Sequence, residues 1–155
     1  MAERRIGVIS DTHGLLRPEA IAALEGVEQL LHAGDVGDPR LRDPLRKIAP
    51  LTVVRGNVDH GGWAFELPAT EVVEIEGRAL FMLHDLDDLD LDPAAAGMAA
   101  VIYGHSHRPS IEWRGGVLYL NPGSAGPRRF RLPVTVALLR IGPDGLEPEI
   151  IELEV

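Results

Sequence analysis

Five short polar motifs in the chain carry side chains of the types that bind divalent metal ions. Each motif directly follows an apolar run, at the position where a β-strand would end. Together the motifs supply four imidazoles, two carboxylates and one amide oxygen, a set that suits Mn, Ni, Fe, Zn or Co. The candidate metal ligands are Asp11, His13, Asp35, Asn57, His84, His105 and His107. We expect these side chains to hold two divalent ions side by side.

The spacing within the motifs brings pairs of ligands to one centre. Asp11 and His13 are two residues apart, and the two histidines of residues 104–107 repeat this spacing. A period of two places both side chains of a pair on one face at a strand end. A carboxylate such as Asp35 has two oxygens and can bridge two ions. Two ions about 3.5–4 Å apart would polarise a phosphate ester and convert a bridging water to the attacking hydroxide.

Three of the motifs follow a predicted alternation of strands and helices. Apolar runs over residues 5–10, 29–33 and 51–55 predict strands, and the stretches 18–24 and 39–48 between them predict helices. Alternation of this kind indicates parallel strands joined by right-handed crossovers. The carboxyl ends of such strands form the ligand crevice, so the first three motifs are expected to converge there.

The second half of the chain changes to a pattern of hairpins. Paired strands are predicted at 71–75 with 78–83, at 111–114 with 117–120, and at 134–141 with 146–153, each pair joined by a turn that contains glycine. A further buried strand, residues 99–103, leads directly into His105. We therefore expect an α/β fold in which two sheets pack face to face with helices outside. Residues 1–155 are expected to form a single domain.

The composition argues against several classes of partner. The chain of 155 residues has 15 Lys and Arg against 24 Asp and Glu, a formal net charge of −9, which disfavours binding to an extended nucleic-acid duplex. Two divalent ions would still make the pocket locally positive and suited to a small phosphoester substrate. No apolar run approaches the roughly 20 residues of a membrane helix, so no membrane association is expected. The absence of cysteine favours a cytoplasmic location.

The order of the motifs resembles that of the calcineurin-like metallophosphoesterases. Asp-x-His, Gly-Asp, Gly-Asn-x-Asp, His and Gly-His-x-His occur in that order and are followed by the segment 121–124, Asn-Pro-Gly-Ser. The resemblance spans residue 4 to about residue 130 and is greatest for the small bacterial and archaeal phosphodiesterase subgroup. It implies a four-layer αββα sandwich with two mixed sheets, and a metal-dependent hydrolase of phosphate esters, above all of phosphodiesters.

The same resemblance divides the ligands between two ions and makes manganese the expected metal. The first ion would be bound by Asp11, His13 and His107. The second would be bound by Asn57, His84 and His105. Asp35 would bridge the two ions and, with Asn57 and His105, is a candidate catalytic residue.

Two positions depart from the family pattern. Val58 stands where the wider family has a histidine after the motif asparagine, a residue that helps to bind the phosphoryl group and to protonate the leaving group. A valine does neither, so His60 is a candidate catalytic acid, with an exposed loop histidine as the alternative interpretation. Asp85 follows His84, where relatives commonly have glycine, and this changes the surroundings of that ligand.

Val58 also keeps a second function open, that of a non-catalytic, metal-binding scaffold for protein partners. This would resemble what the retromer subunit with this fold does. The later hairpins could also present an interface for a homo-oligomer. The complete ligand set favours the enzyme, because a pure scaffold has no need of all seven side chains.

Several other polar residues are expected to serve the structure. His32 is interpreted as a hydrogen-bonded core residue, and Asp59 as a residue that orients a neighbour or caps a turn. Asn121 is expected to support the site from its turn. The arginines of residues 128–131 are interpreted as a solvated basic patch. The acidic run 84–92 predicts a loop or short helix near the site, with its leucines packed inward.

Overall fold

The computed structural model describes residues 3–155 and contains two five-stranded sheets within them. The strands are β1 (Arg4–Ile9), β2 (Gln29–His32), β3 (Leu51–Val53), β4 (Thr70–Ile75), β5 (Arg78–Leu83), β6 (Met98–Ile102), β7 (Ser110–Arg114), β8 (Val117–Asn121), β9 (Thr135–Gly142) and β10 (Gly145–Glu152). The helices are α1 (Pro18–Ala23) and α2 (Arg42–Ile48). Among these residues, no helix is both long and apolar enough to cross a bilayer.

The first sheet has the strand order β10-β9-β1-β2-β3 and is parallel where the sequence alternates strand and helix. β1 pairs with β2 and β2 with β3 in parallel, whereas β9 joins β1 antiparallel and forms a hairpin with β10. α1 and α2 make the crossovers and cover the outer face of this sheet. Their apolar side chains, such as Ala20 and Leu45, are fully buried in a cluster with Leu30 and Leu138.

The predicted helix over residues 39–48 is divided in two. A 3-10 turn, Pro39–Leu41, is capped by the Asp38 side chain, which accepts a hydrogen bond from the Arg40 N–H. α2 begins only at Arg42. Pro44 explains the division, because it has no N–H to donate to the Arg40 carbonyl and so interrupts the α-helical hydrogen-bond ladder.

The second sheet has the order β4-β5-β6-β8-β7. Its centre is parallel, with β5 paired to β6 and β6 to β8, and its edges are the antiparallel hairpin strands β4 and β7. The two mixed sheets confirm the fold class expected from the sequence. Because β5 and β6 are parallel, like β1, β2 and β3 of the first sheet, their carboxyl ends lie at the same edge of the second sheet.

Alternate residues of the strands serve different layers. Leu80 and Met82 face the core between the sheets, whereas Phe81 and Leu83 face outward, as the two-residue period of a strand requires. The outer face of the second sheet is covered by a 3-10 turn, Leu86–Asp88, and the loop around it. The leucines of the acidic run pack inward there, as predicted, so this outer layer is thinner than the helical layer on the first sheet.

Candidate metal centre

All seven predicted ligands lie on loops that directly follow parallel strands. They follow β1 (Asp11 and His13), β2 (Asp35), β3 (Asn57), β5 (His84) and β6 (His105 and His107). The carboxyl ends of these strands meet at one edge of the sandwich, which is where ligands bind in parallel sheets. The structure therefore brings together side chains that are up to 96 residues apart, from residue 11 to residue 107.

The backbone is left-handed at most of the ligand positions. The positive φ angles are 55° at Asp11, 47° at His13, 58° at Asp35, 73° at His105 and 65° at His107. Residues other than glycine adopt this conformation at a cost of about 1 kcal/mol or more each. Because the cost recurs at five clustered residues, it indicates a functional constraint on where these side chains point.

Glycines allow the strained loops to approach one another closely. A Cβ at Gly104 would collide with the Ser10 hydroxyl and come within 2.7 Å of Asp11 Oδ2, and one at Gly56 would collide with the Asp35 carboxylate and backbone. Backbone hydrogen bonds then join the loops, such as that from the Asp11 N–H to the Gly34 carbonyl at 3.0 Å.

The ligand atoms form two groups. In each group the imidazole nitrogens and carboxylate oxygens lie within 4.8 Å of one another. The first group is Asp11, His13 and His107, and the second is Asp35, His84 and His105. Asn57 joins the second group, because its Oδ1 lies 3.1 Å from the Nδ1 atom of His105.

Asp35 lies between the two groups. Its Oδ2 atom is 3.1 Å from His84 Nε2 in the second group and 3.6 Å from His13 Nε2 in the first. Its other oxygen, Oδ1, accepts a hydrogen bond from the Val58 N–H at 3.0 Å. One oxygen is thus used to fix the carboxylate, and the other faces both groups.

Besides His107 Nδ1, two buried atoms of the candidate ligands lack any hydrogen-bond partner among residues 3–155. Asp11 Oδ2 accepts from the Ser10 hydroxyl at 2.7 Å and from the His105 N–H at 3.1 Å, but Oδ1 has no partner. His84 Nδ1 donates to the Ala33 carbonyl at 2.7 Å, but Nε2 has none. Such atoms cost about 1–3 kcal/mol each when left unpaired. A divalent cation would satisfy both, so the residues present fit a metal ion.

The electrostatics of the centre keep its carboxylates ionised. Burial alone would raise the pKa of Asp11, but the imidazoles of His107 and His13, 3.4 and 3.6 Å from Oδ1, hold it well below its usual range. Burial likewise opposes ionisation of Asp35, and the neighbouring His84 imidazole lowers the pKa of that carboxyl. Both side chains are therefore in the charged form that metal binding needs.

Asp59 holds two of the ligand loops together. Its buried carboxylate accepts hydrogen bonds from the N–H groups of Asp35 at 3.0 Å and Gly56 at 2.9 Å. It also accepts from the N–H groups of Val36 and Gly37. The orienting role expected for Asp59 is what its contacts show. Because Asp59 joins the loop after β2 to the loop after β3, it fixes Asp35 relative to Asn57.

The end of β8 and the turn after it support the candidate centre through hydrogen bonds. Asn121 Nδ2 donates to the Gly104 carbonyl at 3.0 Å and to the Ser106 hydroxyl at 3.1 Å, which fixes the loop between His105 and His107. The Ser124 hydroxyl donates to the Asp11 carbonyl at 2.9 Å. Arg128 donates to the Leu132 and Val155 carbonyls and so fastens the C-terminal residues rather than the centre.

His60 lies apart from the two ligand groups. It is exposed, and its Nδ1 atom donates to the Val58 carbonyl at 2.7 Å. This bond occupies Nδ1 and leaves Nε2 available. Val58 itself is half-buried beside Asn57.

His32 is a buried, neutral core residue. The Gly34 N–H donates to its Nδ1 at 3.1 Å, so the ring proton lies on Nε2, which donates to the Thr12 hydroxyl at 3.0 Å. Burial lowers the pKa of His32 to about 4. This is the hydrogen-bonded core histidine expected from the sequence.

The His32 pKa predicts a specific acid sensitivity. Because an unfolded histidine titrates near pH 6.5, the unfolded chain takes up a proton before the folded chain does as the pH falls. The stability contributed by neutral His32 is complete above pH 6.5 and should fall by about 3 kcal/mol as the pH approaches 4. Urea unfolding of metal-free protein across this range measures it. The His32→Gln variant should show a shallower decline, and identical slopes for the two proteins would contradict the assignment.

The sequence did not single out two residues of this region. Ser10 orients Asp11, yet a serine before an aspartate carries no signal that would distinguish it. Arg55 lines a cavity of about 420 Å³ together with the ligands Asn57 and His84. Its position directly before the Gly56-Asn57 motif could have suggested a place near the site.

Comparisons with known proteins agree with the geometry. A family model for the calcineurin-like phosphoesterase superfamily domain matches residues 5–144. A Methanothermobacter thermautotrophicus protein named "Probable metallophosphoesterase" is 37% identical and is matched over 94% of this chain and 91% of its own. A solved archaeal phosphodiesterase has a TM-score of 0.80 at 26% identity and covers 96% of this chain and 99% of its own. Vacuolar Protein Sorting 29 from Cryptosporidium parvum has a TM-score of 0.77 at 17% identity with 99% of each chain covered, which shows a shared fold alone.

Proposed function

Because the chain belongs to the calcineurin-like phosphoesterase superfamily, we propose that it is a dinuclear, metal-dependent phosphodiesterase. The observation that carries this proposal is the pair of three-residue ligand groups with the Asp35 carboxylate between them. The unpartnered, buried Asp11 Oδ1 and His84 Nε2 atoms add support, since each is left free by hydrogen bonds to the rest of its side chain.

In this proposal each group holds one divalent ion. Asp11, His13 and His107 bind the first ion. Asn57, His84 and His105 bind the second. Asp35, whose Oδ2 atom lies near a histidine of each group, would help to hold both ions. We propose manganese as the metal, with Ni, Fe, Zn or Co as alternatives that the same ligand types accept.

The bound ions would supply phosphoryl polarisation and an activated water as the nucleophile. The residues of the chain do the remaining work. Asp35, Asn57 and His105 position the reacting groups. Three hydrogen bonds from residues outside the ligand set hold candidate ligands in place. They join Ser10 to Asp11, the Ala33 carbonyl to His84, and Asp59 to the loop of Asp35. Such contacts typically contribute 10- to 100-fold to metal affinity or activity.

The test of this function is hydrolysis of bis(p-nitrophenyl) phosphate and of p-nitrophenyl phosphate with added Mn²⁺ or Ni²⁺. Wild-type protein should release p-nitrophenolate, a chelator should stop the reaction, and the diester should be the better substrate. The His107→Ala variant should lose about 10²-fold or more, because one ligand of the first group is missing. Equal, metal-independent rates for both proteins would contradict the proposal.

The same experiment tests the alternative of a non-catalytic scaffold. That alternative expects metal binding without turnover, in the wild-type protein as well as in the variant. The intact ligand set favours the enzyme, and the structural likeness to Vacuolar Protein Sorting 29 is a likeness of fold only. Metal-dependent diester hydrolysis would dispose of the scaffold as the sole function.

His60 is the proposed proton donor to the leaving group. It is exposed two residues after Val58, and its Nδ1 bond to the Val58 carbonyl leaves Nε2 free to face a substrate. A general acid matters in proportion to the basicity of the leaving group and contributes about 10²–10⁴-fold when it acts.

The His60→Gln variant separates this role from a structural one. Hydrolysis of a diester that expels p-nitrophenolate should change by less than about threefold, because that leaving group needs no proton. Hydrolysis of a dialkyl phosphate diester should fall by about 10²-fold. Steady-state kcat/KM values for the two substrates check this expectation, and equal losses on both would rule out His60 as the acid.

A further inference from the structure

A cavity opens directly from the second ligand group. It has a volume of about 420 Å³, and Asn57 and His84 form part of its lining. His84 is only 5% exposed and leaves its Nε2 atom without a partner. A phosphate bound at the metal centre would therefore have this cavity as the space for one of its ester groups.

Residues of opposite charge from two separate segments contribute to the lining of the cavity, whose surface is otherwise largely apolar. Arg55 comes from the loop after β3, which is joined to the start of β4 by a 2.8 Å hydrogen bond from the Arg55 N–H to the Pro68 carbonyl. Asp85 and Asp88 come from the segment after β5. Thr70 adds a hydroxyl, and the rest of the lining includes apolar side chains such as Leu83.

The contacts of Asp85 and Asp88 fix these residues and leave carboxylate oxygens able to accept further hydrogen bonds. Asp85 Oδ1 accepts from the Asp87 N–H at 3.0 Å, and Oδ2 lies 3.6 Å from His105 Nε2. The Asp88 N–H donates to the Asp85 carbonyl at 3.0 Å, which fixes Asp88 on the same turn. Among residues 3–155, the half-buried Arg55 guanidinium pairs with neither carboxylate.

Residues of opposite charge on two segments of one cavity restrict what can fill it. An apolar ester group would remove water from the half-buried Arg55 and Asp85 and give no hydrogen bond in return, which is costly. An ester group with its own net charge would be attracted to one segment and repelled by the other. A hydroxyl group suits both, because it accepts a hydrogen bond from a guanidinium and donates one to a carboxylate.

We propose that this cavity binds a hydroxyl-bearing ester group, of the glycerol or sugar type, in a phosphodiester substrate. The inference rests on the proposed phosphodiesterase function and narrows its substrate class. Arg55 and Asp88 are the specificity-determining residues. The acidic residues that follow His84, which are not among the seven candidate ligands, thereby acquire a function.

Two matched esters test the proposal: p-nitrophenyl 2,3-dihydroxypropyl phosphate and p-nitrophenyl propyl phosphate. They share a leaving group and differ only in the two hydroxyls. With Mn²⁺ present, wild-type kcat/KM should be about 10-fold or more higher for the dihydroxypropyl ester, since hydrogen bonds to charged groups are the stronger kind. Calorimetric titration should likewise show tighter binding of glycerol 3-phosphate than of propyl phosphate.

The Arg55→Met and Asp88→Ala variants should each bring the ratio of the two kcat/KM values toward one. Asp87→Ala is the control, because Asp87 lies on the same 3-10 turn but does not line the cavity. The two substitutions lie on different segments. If one variant fails to fold, the ratio of kcat/KM values in the other still tests the proposal. A wild-type ratio near one, or a ratio unchanged in a folded test variant, would overturn this inference while leaving phosphodiester hydrolysis intact. Failure of both esters to show metal-dependent hydrolysis would instead overturn the function on which it rests.

Discussion

An Asp35→Asn enzyme should lose about 10³-fold in kcat/KM for bis(p-nitrophenyl) phosphate in the presence of Mn²⁺. Asp35 Oδ2 faces both ligand groups, at 3.1 Å from His84 Nε2 and 3.6 Å from His13 Nε2. Asparagine keeps the size of the side chain but removes its charge. The proposed centre would then lose a negative charge that lies between the two groups, and two bound ions would repel each other more strongly without it.

The matched control for this prediction is Asp38→Asn. Asp38 belongs to the same loop as Asp35, but its carboxylate caps the turn at Pro39–Leu41 and pairs with Arg40 at 2.7 Å. Its replacement should leave kcat/KM within about a factor of two, because it contacts no ligand and is partly exposed. Equal losses in the two variants would show that loop stability, not ligand loss, explains the effect.

Replacing Asp59 with alanine should reduce the free energy of unfolding by about 3–5 kcal/mol in the metal-free protein. Four backbone N–H groups donate to this one buried carboxylate, from Asp35, Val36, Gly37 and Gly56. Alanine would leave them without an acceptor where water enters poorly. The loops after β2 and β3 would also separate, so metal affinity should fall with stability.

Urea unfolding monitored by circular dichroism measures this effect, with Asp43→Ala as the reference. Asp43 is an exposed acid on α2, 4.0 Å from Arg46, and its removal should change stability by less than about 0.5 kcal/mol. A change below about 1 kcal/mol for Asp59→Ala would mean that the four hydrogen bonds are replaced by water at little cost.

The sequence was sufficient to predict that the candidate ligands meet at one edge of the sheets, because local sequence patterns mark the strands that carry them. Runs of apolar residues followed by a glycine-containing polar motif mark parallel strand ends, and glycine turns mark the hairpins. The sheet assignments and the fold class followed from these signals. The errors lie at the ends of elements, where one hydrogen bond determines the first or last residue. Pro44 cannot donate such a bond, and α2 therefore begins at Arg42.

The sequence could not predict the features that depend on contacts between distant loops. No local signal shows that Asp11 and Asp35 adopt positive φ angles, since the strain is tolerated only because neighbouring loops hold it in place. The four bonds to Asp59 and the cavity between Arg55 and Asp88 likewise arise from segments that meet only in the folded chain. The motifs identify the candidate ligand residues, whereas contacts with residues distant in the sequence determine the orientation of their side chains.

The most direct test of the proposed dinuclear centre is an activity titration of metal-free protein with Mn²⁺, at protein concentrations above the dissociation constants. The rate of bis(p-nitrophenyl) phosphate hydrolysis should stay low through the first equivalent, rise with the second and level off at two ions per chain. Full activity at one equivalent, or no activity at saturation, would contradict a catalytic centre built from both ligand groups.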